Sequence, residues 1–169
     1  VSLALTGCAS NIPKATYSQP IAANARIAAN DKTQVHVDAT DAVKILPSEA
    51  QRLSEKISAK IETRKVNNPS DVSTGRNFQV DLHLTRYDKG SAFGRAVFAG
   101  LGQIHIDGTV NVYQMPDHKL VGEFTLKKTF AWGGIYGAAT SIEDIENTFA
   151  DGVAANVTGQ EEQQPKQKT

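Results

Sequence analysis

The chain has one cysteine, one methionine and one tryptophan in 169 residues. A lone cysteine excludes an internal disulfide framework and a zinc site built from several thiolates. An excess of charge is also missing, because 18 basic residues balance 18 acidic ones. With no net field there is no general pull toward nucleic acid, and no nucleic-acid partner is expected. No apolar run approaches the roughly 20 residues that a helical membrane span needs. No G-x-S-x-G elbow occurs, and no two carboxylates stand out as an acid–base pair. The expectation is a chain without enzymatic activity and without a cofactor.

What the chain does have begins at its single cysteine. Leu5-Thr6-Gly7-Cys8 follows Val1, Leu3 and Ala4, which is the pattern of a bacterial lipobox. Small residues leave an uncrowded extended backbone for the peptidase, and the thiol accepts diacylglycerol. Residues 1–7 are then expected to be the end of a truncated signal peptide. Cys8 is the expected lipidation site, carrying palmitate-type chains, and the membrane is a partner only through that lipid. Two acyl chains hold far more firmly than one. Ala9, where an aspartate would favour the inner membrane, points to a periplasm-facing outer-membrane lipoprotein of the cell envelope.

Residues 8–32 are rich in Asn, Ala, Ser and Pro without an apolar period. They are expected to form the lipidated terminus and a flexible tether. Residues 158–169 are Gln-, Glu- and Lys-rich and are expected to be a disordered tail. The domain between them is 33–157. Within it Val35 and Val37 alternate with polar residues, as in a strand. Pro47 opens a helix with Ser48 and Gln51 as a capping box, and Ala50, Leu53, Ile57 and Ile61 form its apolar stripe. Period two returns at Phe78–Leu84, at Ile104–Val112 and at Leu120–Phe130, with a turn at Met115–His118. Thr140 and Glu143 are read as a second capping box, before the stripe Ile142, Ile145, Phe149, Val153 and Val157. The expected fold is α+β in two layers. One mostly antiparallel sheet of about four strands carries two helices on one face, in the order strand-helix-strand-strand-strand-helix.

Three strands carry His and Asp two residues apart, and so on one face: His36 with Asp38, Asp81 with His83, His105 with Asp107. If these strands were neighbours, His36, His83, His105 and Asp107 would be candidate ligands for a divalent metal. The plainer account is the solvated face of a half-buried sheet, and no metal is expected. Gly133–Gly137 precedes a helix start, where phosphate can bind. However, Glu143, Asp144 and Glu146 fill the first turns and would repel an anion, so the loop reads as a connection. Trp132 and Tyr136 flank it. The segment Gly90–Gly102 is small, apolar and almost uncharged. It either packs Phe93, Val97, Phe98 and Leu101 across the sheet or protrudes as a contact surface. Phe93, Arg95, Phe98, Trp132 and Tyr136 are the candidate partner-contact residues.

Tyr87-Asp88-Lys89-Gly90, the run from Gly100 to Gly108, Thr129–Gly137 and Ser141–Ile145 together resemble a family of bacterial lipoproteins known only as a domain of unknown function, the 4410-type domain. The resemblance covers about residues 33–157. It implies an envelope lipoprotein with a small α+β domain and transfers no catalytic residue. The order of elements is also similar to the amino-terminal domain of TolB and to the lipoprotein of the Pel exopolysaccharide export apparatus, an analogy of fold alone. The function expected is a lipid-anchored, non-catalytic envelope protein. Its domain would bind an envelope protein partner or form a homo-oligomer, as an accessory of an export or envelope assembly. The alternative is a ligand- or metal-binding module using the polar sheet face.

Overall fold

The computed structural model describes residues 12–65, 75–97, 102–131 and 139–160. Strand β1 (Thr16–Gln19) is followed by a short 3-10 turn at Ala23–Ala25, then β2 (Lys32–Ala39) and helix α1 (Pro47–Lys65). Next come β3 (Asn77–Asp88), the short helix α2 (Ala92–Val97), β4 (Ile104–Met115), β5 (Lys119–Phe130) and helix α3 (Ile142–Thr158). The strands form one sheet in the order β1-β5-β4-β3-β2. β3, β4 and β5 make an antiparallel meander, while β2 runs parallel to β3. The parallel pair follows from α1, because a helix joining adjacent strands carries the chain back to the starting end. The sheet is therefore mixed and five-stranded, with three helices among the described residues, against the expected four or so strands and two helices; three of its four strand pairs are antiparallel, as the expected mostly antiparallel sheet requires.

The fifth strand comes from the segment expected to be a tether. β1 pairs antiparallel with β5, Thr16 facing Thr125. Ile21, Ile27 and Ala28 are buried, and Asp31 is almost wholly so. A Cβ on Gly122 would lie 2.2 Å from Ile21 Cγ1, so β5 keeps a glycine where Ile21 crosses it. The boundary at residue 32 is thus corrected: Pro13 to Asp31 belong to the domain. Apolar residues here are few and follow no period, because each fills a separate gap rather than one face of an element.

The core lies between the sheet and the helices. Leu53, Ile57 and Ile61 of α1 and Ile145, Phe149, Val153 and Val157 of α3 meet Phe78, Val80, Leu82, Ile106, Val110, Phe124 and Leu126. The apolar stripes read from the sequence face the core, buried except at their first positions, Ala50 and Ile142, which are partly buried. The caps differ by a residue or two. At α1 the Leu46 N–H donates to Glu49 Oε2 at 3.0 Å, whereas Gln51 donates to Glu55. At α3 the capping box is Ser141 with Asp144, not Thr140 with Glu143. At its other end Thr158 is buried, and the Gln160 amide donates to Arg64 O at 3.0 Å. The tail expected from residue 158 therefore starts no earlier than 161.

A bulge in β3 breaks the register between Leu84 and Arg86. One extra residue switches the faces of a strand. Even-numbered positions up to Leu84 face the helices, and after the bulge Tyr87 does. This places a phenol hydroxyl in the helix layer.

Candidate functional site

The polar sheet face brings two of the sequence-predicted histidines together. In the parallel pair His36 lies opposite Asp81 and Asp38 opposite His83. His36 Nδ1 is 3.3 Å from Asp81, and His83 Nδ1 is 2.6 Å from Asp38. The partners are thus cross-strand, not the neighbours two residues along. His105 bonds Thr129 at 3.0 Å. It sits four residues along β4 from Thr109, the partner of His83, or roughly 13 Å at strand rise. Asp107 lies in register between Arg86 and Lys127. Among the described residues no group of three or more His, Cys, Asp or Glu is placed to hold a metal ion. The convergence that would have made these positions a metal centre is not formed, because the sheet register spreads them along three strands.

The charge cluster that the fold does build was not singled out in the sequence. Glu146 is fully buried on α3. Arg52 of α1 donates to both its oxygens, at 2.9 and 2.8 Å, Lys56 donates at 2.9 Å and Tyr87 at 2.7 Å. Burial pushes the Glu146 carboxyl up, but hydrogen bonds from Arg52, Tyr87 and Lys56 outweigh it and hold it below the usual range. Burial and then the bond to Glu146 push the Tyr87 hydroxyl up. The bond to Glu146 raises Arg52 against the opposing effect of burial. The group joins both long helices to β3. In the sequence Glu146 reads only as one of three acidic residues in the first turns of α3. Its signal was its place four residues after Ile142, inside the apolar stripe, while Arg52 and Lys56 border that of α1.

A second buried carboxylate ties down the N-terminal segment. Asp31 accepts from Arg76 Nη2 at 2.7 Å and from the backbone N–H groups of Ala28 and Arg76. Lys65 Nζ donates to Asp31 O at 2.7 Å. Burial opposes ionisation of the Asp31 carboxyl, but the Arg76 side chain and the Ala28 and Arg76 N–H groups overcome it, so its pKa is lowered. Elsewhere an open groove of about 460 Å³ runs between α1 and α3, lined by Lys56, Lys60, Arg64, Asn147, Asp151 and Gln160. Arg64 and Asp151 are bonded across it at 2.9 Å.

Among the contact candidates, Phe93 is 76% exposed on α2, so it does not pack across the sheet. Leu46, just before α1, is 58% exposed, and these two are the exposed large hydrophobics among the described residues. Lys89 Nζ bonds Glu49 at 2.6 Å, fastening the β3 end to the start of α1. Burial raises and the Lys89 bond lowers the Glu49 carboxyl, which ends below its ordinary value. Cys8, Phe98, Trp132, Tyr136 and the Gly133–Gly137 loop lie outside the described residues, as does the Arg95 side chain.

With this geometry in place, the chain can be set beside known proteins. The family model DUF4410, a domain of unknown function, matches residues 17–134. The chain belongs to this family. The match begins at residue 17, within β1, so the family unit includes most of the segment read as tether. No curated protein matches the chain. Solved structures of PelC share the fold at low identity. A PelC variant dodecamer from Paraburkholderia phytofirmans is 10% identical with a TM-score of 0.56, covering 86% of this chain and 96% of that one. A PelC dodecamer from the same organism in another crystal form is 7% identical with a TM-score of 0.54, covering 87% and 98%. A protein from Xanthomonas campestris is 12% identical with a TM-score of 0.48, covering 88% and 95%.

Proposed function

We propose that the chain is a lipid-anchored cell-envelope protein that acts by contact rather than by catalysis. Lipid on Cys8 holds it at the periplasmic face of the outer membrane. Its domain associates with copies of itself or with an envelope protein partner, as an accessory of an export or envelope assembly. The observation that carries this reading is how the fold disposes of its polar and apolar groups. The buried carboxylates Glu146 and Asp31 are taken up by internal donors, an arrangement that fastens elements together and presents no reactive group. Meanwhile Phe93 and Leu46 stay on the surface, open to contact with something outside the domain, a membrane included. PelC, which shares the fold, is a dodecamer, and this supports association of copies.

Light scattering of the acylated chain in detergent tests the association. A multimer is expected, and a monomer at every concentration would refute self-association. Cys8→Ala tests the anchor: the variant should leave the membrane fraction, and unchanged fractionation would refute the lipobox.

A further inference from the structure

We infer that the end of the domain bearing Phe93 and Leu46 sits in the lipid surface to which Cys8 is anchored. The inference rests on the lipid-anchor reading and names lipid as what this end contacts. Topology puts the two side chains together. β2 and β3 are parallel and finish at one end of the sheet. Leu46 lies past the end of β2, and Phe93 lies past the end of β3. α1 and α3 also start at this end, since each follows a strand that finishes there. The Lys89–Glu49 bond holds the two hydrophobic positions on one surface.

The N-terminal arm heads for the same end. Tyr17 donates to Asn156 on α3. Pro13 packs where a Cβ on Gly152 would sit, 2.7 Å from Pro13 Cγ. Gly152 is four residues nearer the start of α3, about 6 Å along the helix. The arm thus climbs α3 toward its N-terminus as it is followed back toward Cys8. From Pro13 to Cys8 is five residues, a reach of at most about 17 Å. From Gly152 to Ser141 is eleven residues of helix axis, also about 17 Å. The anchor can just attain the level of the loop end, and no long spacer lifts the domain from the bilayer.

The charge at this end favours apolar insertion over headgroup attraction. Exposed Lys44, Arg86, Lys89 and Lys127 stand against exposed Asp38, Asp41, Asp88, Glu143 and Asp144, so no net positive charge here attracts anionic headgroups. Phe93 and Leu46 would enter the acyl boundary, as apolar anchors do in interfacial binding, and the contact would not weaken with salt.

The test places a fluorescent probe on Phe93→Cys in the acylated full chain, where Cys8 carries lipid and residue 93 is the free thiol. The protein is reconstituted in phosphatidylethanolamine–phosphatidylglycerol vesicles containing quencher-bearing lipid. A probe on Asp117→Cys, in the turn at the opposite end, is the control. Quenching at position 93 should exceed that at 117 several-fold, at low and high salt alike, and Leu46→Cys should behave like 93. A probe at 93 that stays open to aqueous iodide on floated vesicles would overturn the inference. So would one shielded from both quenchers, which would mark a protein contact. A second arm uses Cys8→Ser chains bound to nickel-chelating lipid through an N-terminal hexahistidine. There, docking of the loop end is read without acylation, so failure of the anchor and failure of the docking are told apart.

Discussion

Glu146 shows how one buried charge organises the helix layer. Its carboxylate meets two cations and a phenol, so removing the charge takes away the main acceptor of Arg52 and Tyr87, while Lys56 keeps Glu143 O at 2.8 Å and Arg52 keeps its ion pair with Glu143. Stranding part of a buried ion network is far costlier than losing a surface pair. Arg52 and Lys56 keep some solvent contact, which moderates the cost. Glu146→Gln is expected to destabilise the domain by about 2–4 kcal/mol, read as a lower urea midpoint with an unchanged m-value. The same residue predicts the acid response. Glu146, Glu49 and Asp31 are held below their ordinary values of 4.5, 4.5 and 3.8. The unfolded chain therefore binds protons more readily than the folded one. Their contribution is complete above about pH 4.5 and is lost as pH falls through the folded-state values. Circular dichroism against pH should show stability falling from about pH 5 downward. In Glu146→Gln that decline should be shallower.

At the scale of elements, the periodic stripes of α1, α3 and the meander could be read directly, because each element buries one face. Three features could not. Gly122 and Ile21 make one contact from segments far apart in the sequence, and neither position signals it alone. The β3 bulge turns Tyr87 inward, and the apolar alternation simply stops at Leu84. The parallel β2–β3 pairing depends on where α1 returns the chain. The N-terminal segment offers the sharpest test. Ile27 is fully buried, and its N–H donates to Val157 O at 2.9 Å. Ile27→Ala should cost about 2–5 kcal/mol in thermal or urea unfolding. A flexible tether would show no change.

For the whole molecule, the N-terminal segment closes the sheet edge and the end of the helix layer at once. A chain starting at Thr33 would lack β1, leave the β5 edge unpaired and bare Gly122. It should unfold with low cooperativity and aggregate through the open edge, while a chain starting at Ile12 should remain monodisperse. Size-exclusion chromatography with light scattering distinguishes the two. The comparison also bears on anchoring. Because Pro13 to Asp31 belong to the domain, the proposed lipid on Cys8 would be separated from the folded body by only a few residues and would restrict the orientations in which that body meets a membrane.

Composition and period were enough by themselves to establish the α+β class, the two amphipathic helices and the meander, and the motif strings between Tyr87 and Ile145 carried the family resemblance. These rest on local chemistry and on one-faced burial, both of which repeat along the chain. The histidine–aspartate pairing, the Glu146 network, the fifth strand and the shared end of Phe93 and Leu46 were decided only by tertiary structure. Each joins residues distant in sequence, through strand register, a bulge or the path of a crossover. No short-range pattern encodes such contacts, because each exists only once the sheet has chosen its neighbours.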